Sequence, residues 1–243
     1  MPCFYVPNLS EDTIELIISG DEYHHICNVF RKKIGDEILL TSGTGLLADA
    51  TIIEQNKKNL KMQINNIVKR TRSHPTISVA VPLLKNKHDN LIIEKLSELG
   101  VKDFYPITTE RTVRKASKNT TEKFEKVAIA AIKQCDNAFV PKIHSVYSLP
   151  ELLTKLKEKN ITPIAAFEIG EHKLIADVAD ANSSVCLIIG PEGGFEASEM
   201  QMMLAEEVKP VSLGNHIVRA ETAAIMAVSQ LLGIYLKANS EYY

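Results

Sequence analysis

The chain changes its hydrophobic rhythm near residue 72. Before that point, short apolar stretches alternate with turns: a strand Ile38 to Thr41 after the Gly35-Asp36 turn, a strand around Leu47 to Ile53, and a strand Leu60 to Val68. Short strands at such close intervals predict a small barrel. Gly43-x-Gly45 reads as a hairpin turn and not as a phosphate loop, because nothing helical follows it. Beyond Pro75 the period lengthens. Ile77 to Val81 predicts a strand and Asp89 to Leu99 a helix, capped by Asp89 and stopped by Gly100. Val101 to Ile107 predicts a strand, and Thr121 to Ala138 a helix with Phe124, Val127, Ala131, Ile132 and Cys135 on one face. A helix Pro150 to Lys159 and a strand Ile161 to Phe167 follow. The last element, Glu221 to about Ala238, is apolar enough all round that the core or a second subunit must cover its outer face. Strands and helices alternating in this way predict a parallel sheet covered on both faces.

Two glycine-bearing turns between Val185 and Ala224 stand out from this pattern. The apolar run Val185-Cys186-Leu187-Ile188-Ile189 ends at Gly190-Pro191-Glu192-Gly193-Gly194-Phe195. Proline cannot donate to a sheet ladder and glycine admits backbone angles barred to other residues, so a buried strand stops there. Val211-Ser212-Leu213 ends at Gly214, and Asn215 to Ala220 lead to Glu221 and Thr222, an acid and a hydroxyl suited to the first turn of a helix. Two such loops at one end of a parallel sheet make a small-molecule crevice. Gly190 to Gly194 contains no lysine and carries a carboxylate where phosphate would sit, which argues against ATP hydrolysis. The dinucleotide G-x-G-x-x-G pattern is absent, which argues against NAD. An acid in each loop suits a ligand with polar edges and a positive reactive centre.

Charge alters the picture only when it is divided along the chain. The formal total is −2, yet residues 1–54 carry 3 basic and 9 acidic side chains, residues 55–142 carry 18 and 8, and residues 143–243 carry 7 and 13. A basic middle of net +10 between two acidic thirds of −6 each is the footprint of a polyanion partner. Arg31, Lys32, Lys85, Lys87, Arg111 and Arg114 are the candidate phosphate contacts. No apolar run reaches the roughly 20 residues of a membrane span. The start Met1-Pro2-Cys3-Phe4 has no basic-then-apolar export pattern, so a soluble cytoplasmic protein is expected. Cys3, Cys27, Cys135 and Cys186 lie far apart and are expected to be buried free thiols, and His24-His25 lacks the further ligands a metal would need.

The stretch Leu187 to Phe195, taken with Leu213 to Ala223, resembles the two signature motifs of the RsmE-type ribosomal RNA methyltransferases of the SPOUT class. The resemblance extends to Glu94 to Val101, to Pro106 with Arg111-Thr112-Val113, and to Ala131-Ile132-Lys133-Gln134 with Val140-Pro141. It implies an α/β fold: a PUA-like β-barrel over residues 1–72 and a parallel-sheet methyltransferase domain with a deep trefoil knot over residues 73–243. It also implies a homodimer, S-adenosyl-L-methionine as cofactor, and 16S ribosomal RNA or the small ribosomal subunit as partner, with methylation at N3 of a uridine. Gly190, Glu192, Gly193, Gly194, Leu213, Gly214, Ile217, Arg219, Glu221 and Thr222 match the family's cofactor loops. Arg219 is expected to stabilise the uridine anion or to hold a phosphate beside it. Glu192 or Glu221 is expected to balance the sulfonium or to take the proton. The sequence departs from its relatives at Asn137, where arginine is frequent. A knotted methyltransferase acting on transfer RNA, or a non-catalytic RNA-binding module, would share part of this pattern.

Overall fold

The computed structural model describes residues 3–85, 88–170 and 172–238. Its chain forms two units, one of Met1–Arg72 with Ile129–Val140 and one of Ser73–Ala128 with Pro141–Tyr243.

In the first unit, β1 (Cys3–Tyr5), β2 (Glu15–Ser19), β3 (Glu37–Thr41), β4 (Leu46–Gln55) and β5 (Asn59–Lys69) form a sheet in the order β1-β3-β4-β5-β2. Only the β1–β3 pair is parallel. Strict alternation along β4 sends Ala48, Ala50 and Ile52 into a core with Phe4, Ile18, Ile26, Leu40, Leu60 and Met62. Gly43 and Gly45 lie in the β3–β4 connection with φ of 72° and 120°, which only glycine adopts readily. Between β2 and β3 the chain makes a short helix α1 (Gly20–His24) and a π-helical turn His25–Val29, which the strand pattern did not predict. There His25 packs edge-on against Phe4, at 5.9 Å between ring centres.

The segment Ile129–Val140 joins this unit through specific bonds. Gly45 N donates to Ala138 O at 2.8 Å, Val140 N donates to Gly43 O at 2.8 Å, and the Arg72 guanidinium lies 4.5 Å from the centre of the Phe139 ring. Asn137 uses its Oδ1 to accept the Phe139 N–H at 3.0 Å.

The second unit holds β6 (Ile77–Pro82), α2 (His88–Glu98), β7 (Asp103–Thr108) and the start of α3 (Thr120–Gln134), whose residues from Ile129 on belong to the first unit. Next come β8 (Lys142–Ile143), β9 (Tyr147–Ser148), α4 (Leu149–Glu158) and β10 (Thr162–Ala166). They are followed by β11 (Lys173–Leu174), α5 (Ile175–Val178), β12 (Val185–Ile188), α6 (Ala197–Ala205), β13 (Lys209–Ser212) and α7 (Ala220–Ala238). The strands run β11-β13-β10-β12-β6-β7-β8 with β9 beside β7, and every pair is parallel. Register aligns Tyr105, Ala80, Ile188 and Ala165 on one face, buried under Leu149, Leu152, Leu153 and Leu156 of α4. The neighbouring row, Phe104, Val79, Leu187 and Ile164, is equally buried on the other face. Burial on both faces is why β12 reads as an unbroken apolar run. No helix among the described residues is long and apolar enough to cross a membrane.

Three local expectations need correction. The helix predicted to reach Ala138 ends at Gln134, because Asp136 turns left-handed at φ 51° on the way to the Phe139 bridge, and this leaves Cys135 exposed rather than buried. Cys27 is only half-buried, while Cys3 and Cys186 are buried free thiols. Asp89 does not cap α2 from outside: it sits within the first turn, 1% exposed, with its carboxylate held by Arg114.

Candidate active site

The carboxyl ends of three adjacent strands, β13, β10 and β12, open into one cavity. The loop after β10 supplies Phe167, Glu168 and Gly170, and the end of β12 supplies Ile189 and Gly190. The loop after β13 supplies Ser212 to Val218, and α7 closes the site with Ala220 and Ala223. A parallel sheet puts its ligand crevice at this edge because the connecting loops diverge there.

The first glycine turn is held from several sides. Ile189 N still donates to Ala80 O at 2.9 Å; after it the chain turns, and Gly194 N donates to Pro191 O at 2.9 Å. Gly194 has φ 69°, and a Cβ there would come within 3.2 Å of Glu168 Oε2. Phe195 folds back into the core beside Phe167, 6.0 Å between ring centres, and anchors the turn by burying its ring. Arg111 Nε donates to Glu196 Oε1 at 2.8 Å while its Nη1 donates to Gly193 O. That guanidinium, by hydrogen bond and charge, holds the Glu196 carboxyl below the usual range. Glu199 links two segments: one oxygen accepts Glu196 N and the other Glu110 N, each at 2.9 Å.

The second turn is tied to α7. Gln230 Nε2 donates to Leu213 O at 2.9 Å, and Arg219 O accepts Ala223 N at 2.8 Å as the first bond of the helix. Ile217 stands 75% exposed at the rim.

Of the sequence-predicted cofactor residues, Gly190, Leu213, Gly214 and Ile217 line the cavity. Gly193 and Gly194 lie in the turn that follows Gly190, and Gly194 sits against the cavity-lining Glu168. Arg219 and Thr222 are exposed at the start of α7. The two predicted acids are engaged elsewhere. Glu192 Oε1 accepts Lys85 N at 3.1 Å, and Glu221 Oε1 meets His88 Nδ1 at 3.0 Å. Burial pushes the Glu221 carboxyl up, but its own backbone N–H, His88 and Arg219 outweigh this and hold it below its ordinary value. The acid that does line the cavity is Glu168, which the sequence reading missed. Its position directly after the strand Ile161 to Phe167 was the available signal, since every strand ending at that edge contributes a loop.

The candidate RNA contacts divide. Arg31 is exposed with φ 54°, and Lys32 Nζ donates to Glu37 O at 3.1 Å. Lys85 is exposed in the second unit, and Lys87 lies outside the described residues. Arg111 holds the glycine turn, and Arg114 holds Asp89 and donates to Leu84 O at 3.3 Å.

With this geometry in place, the chain can be set beside known proteins. A family model described as an RNA methyltransferase domain matches residues 71–232, and one described as an RNA methyltransferase PUA domain matches residues 18–65. The chain is 30% identical over 226 residues to the ribosomal RNA small subunit methyltransferase E of Rickettsia conorii, covering 92% of this chain and 91% of that one. It is 28% identical over 232 residues to the protein of the same name from Bacillus subtilis, covering 91% of each. A methyltransferase from Legionella pneumophila, solved in complex with the bound cofactor SAM, shares the fold with a TM-score of 0.86 and 28% identity over 95% of this chain and 96% of that one. Matched along nearly its whole length, with a PUA domain ahead of the methyltransferase sheet, the chain belongs to the RNA methyltransferase family of the ribosomal RNA small subunit methyltransferase E type.

Proposed function

We propose that the protein uses S-adenosylmethionine to methylate N3 of a specific uridine in 16S ribosomal RNA, as a cytoplasmic homodimer. The observation that carries the cofactor assignment is the charge of the cavity. Among the described residues that line it, Glu168 is the acid, and neither lysine nor arginine is present. A nucleotide phosphate would be repelled there, whereas a sulfonium-bearing nucleoside is attracted. Gly190 and Gly214 bring bare backbone to the cavity wall, which suits the close approach of a flat base and its sugar, and Leu213 and Ile217 offer apolar surface beside it. The cofactor, when bound, supplies a methyl group already made electrophilic by its positive sulfur.

The chain's own residues have two remaining tasks. One is positioning, which holds donor and acceptor in line and can supply about 7 kcal/mol or more of the barrier. The Arg111–Gly193 and Gln230–Leu213 bonds fix the two loops for it. The other is stabilising the uridine once N3 has lost its proton. Arg219, exposed at the amino end of α7 beside the cavity-lining Val218 and Ala220, serves that anion with its guanidinium. Glu168 takes the charge-balancing role for which Glu192 and Glu221 were the sequence candidates. Glu221 instead steadies His88 and the start of α7.

The trefoil knot and the dimer belong to the same reading. The sheet order supports the knot: the chain leaves β12, crosses β10 to form β13, and returns as α7 to pack on β6 and β12. Leu91 and Leu236, exposed on the packed pair α2 and α7, support a subunit contact. The test is nucleoside mass spectrometry of 16S ribosomal RNA from a strain lacking the gene, before and after incubation with the enzyme and cofactor. Loss and restoration of one N3-methyluridine is expected; full methylation without the gene overturns the assignment.

A further inference from the structure

A second cavity of the second unit, about 680 Å³, lies at the opposite edge of the parallel sheet, where the strands begin. Lys102 precedes β7, Lys142 opens β8 and Lys159 follows α4, and all three line it together with His74. Backbone bonds fix the first two side by side, with Lys102 N donating to Ile77 O at 2.8 Å and Lys142 N donating to Lys102 O at 2.9 Å. On the far wall Thr76 Oγ1 and Ser184 Oγ are paired at 3.0 Å, adding hydroxyls to the lining. Among the described residues no ion pair engages any of the three lysines. One acid, Asp103, also lines the cavity: it is buried and bonded to His144 Nε2 at 2.7 Å, and the charges of Lys159 and Lys102 act on it without forming an ion pair. Asp180, which precedes the lining residues Asn182 and Ser183 in the chain, accepts from Asn182 N and Ser183 Oγ. The carbonyl end of α4 accounts for a cation at position 159 but not for Lys102 and Lys142, which stand at strand starts.

We infer that this cavity is a second contact for the RNA chain, taking backbone phosphate and ribose rather than a base, and so extending the RNA footprint to the sheet edge opposite the methyl-transfer site. The inference rests on the RNA methyltransferase reading. Its chemistry follows from the lining: three ammonium groups for phosphate, hydroxyls and the amides of Asn160 and Asn182 for sugar, and, His74 apart, no ring on which a base could stack. The lysines are exposed and not caged by buried donors, an arrangement that suits a polymer passing across the cavity more than a small enclosed anion.

The experiment measures the affinity of the full chain for in vitro transcribed 16S ribosomal RNA as a function of salt. Removing one lysine–phosphate interaction reduces the slope of log K against log salt by about 0.7 in single-stranded RNA. The Lys102→Gln/Lys142→Gln variant is expected to lower the slope by about 1.4, and adding Lys159→Gln by about 2 in all, with S-adenosylmethionine affinity unchanged. The double variant is the safer for folding, because Lys159 Nζ also donates to Tyr105 Oη at 3.1 Å. An unchanged slope in a folded double variant overturns the inference while leaving the enzyme assignment intact. So does loss of inorganic pyrophosphate binding with an unchanged RNA slope, which would make this a small-anion site. Absence of salt-dependent RNA binding by the unmodified protein would instead refute the RNA reading, and this inference with it.

Discussion

Removing Arg114 separates its structural role from its expected role at RNA. Asp89 is 1% exposed and its carboxylate is bound by Arg114, whose side chain is 29% exposed. Deleting one partner of a buried ion pair leaves the other charge stranded, at about 3–5 kcal/mol. Because the guanidinium is partly solvated, the lower end, about 3 kcal/mol, applies to Arg114→Ala. For a chain of this size that is a fall in Tm of about 6–12 °C. Burial already pushes the Asp89 carboxyl above its ordinary value, against the charge and hydrogen bond of Arg114. The folded state therefore binds this proton more tightly than the unfolded state. Its contribution to stability declines as pH rises through and above the usual carboxylate range, and Arg114→Ala deepens that decline. Thermal unfolding of Arg114→Ala, Asp89→Asn and the double variant at pH 5 and pH 8 tests this. The double variant is expected to recover about 2 kcal/mol relative to Arg114→Ala, since the stranded charge is gone. If Arg114→Ala unfolds like the unmodified protein yet binds RNA more weakly, the residue is an RNA contact and the buried-pair argument fails.

Three further outcomes follow from the same structure. Gly194→Ala must adopt φ near 69° and place a Cβ 3.2 Å from Glu168 Oε2, so it is expected to cost about 1–2 kcal/mol of stability and to weaken S-adenosylmethionine binding; calorimetry with matched affinity would count against the place assigned to this turn beside the cavity-lining Glu168. Glu168→Gln is expected to weaken cofactor binding about tenfold with little change in Tm, and unaltered binding would remove Glu168 from the charge-balancing role. At Asp103, burial raises the carboxyl but the hydrogen bond and charge of His144, with Lys159 and Lys102, hold it below its ordinary value. Its stabilisation is thus full above the unfolded value of about 4 and is lost as pH falls through the lower folded value; Asp103→Asn should flatten that part of the acid-unfolding curve.

The sequence made the alternating sheet legible because both faces of β12 and β6 are buried, and an unbroken apolar run ending in Gly190-Pro191 has few other readings. The glycine turns were legible for the same reason. What stayed hidden were features decided by tertiary contacts. Nothing local in Glu168, Glu192 and Glu221 tells which carboxylate faces the cavity, because the choice is made when Lys85 N and His88 capture the last two. Likewise the run up to Ala138 reads as helix by its apolar spacing, yet the residues after Gln134 leave that path, and Ala138 and Val140 bond with Gly45 and Gly43, far earlier in the chain. Arg111 and Arg114 looked like free surface charge because their partners, Glu196 and Asp89, stand far from them in the sequence and outside any visible pattern.

The place of β12 also bears on how the molecule comes into being. It pairs with both β6 and β10, yet it begins only at Val185, after both neighbours have been synthesised. Until it emerges, two strands that will lie in the middle of the sheet have open, apolar borders, the kind of edge that recruits other chains. Maturation of this protein therefore hinges on late pairing, because β13, the other neighbour of β10, is made later still and the β10 border stays open until it arrives.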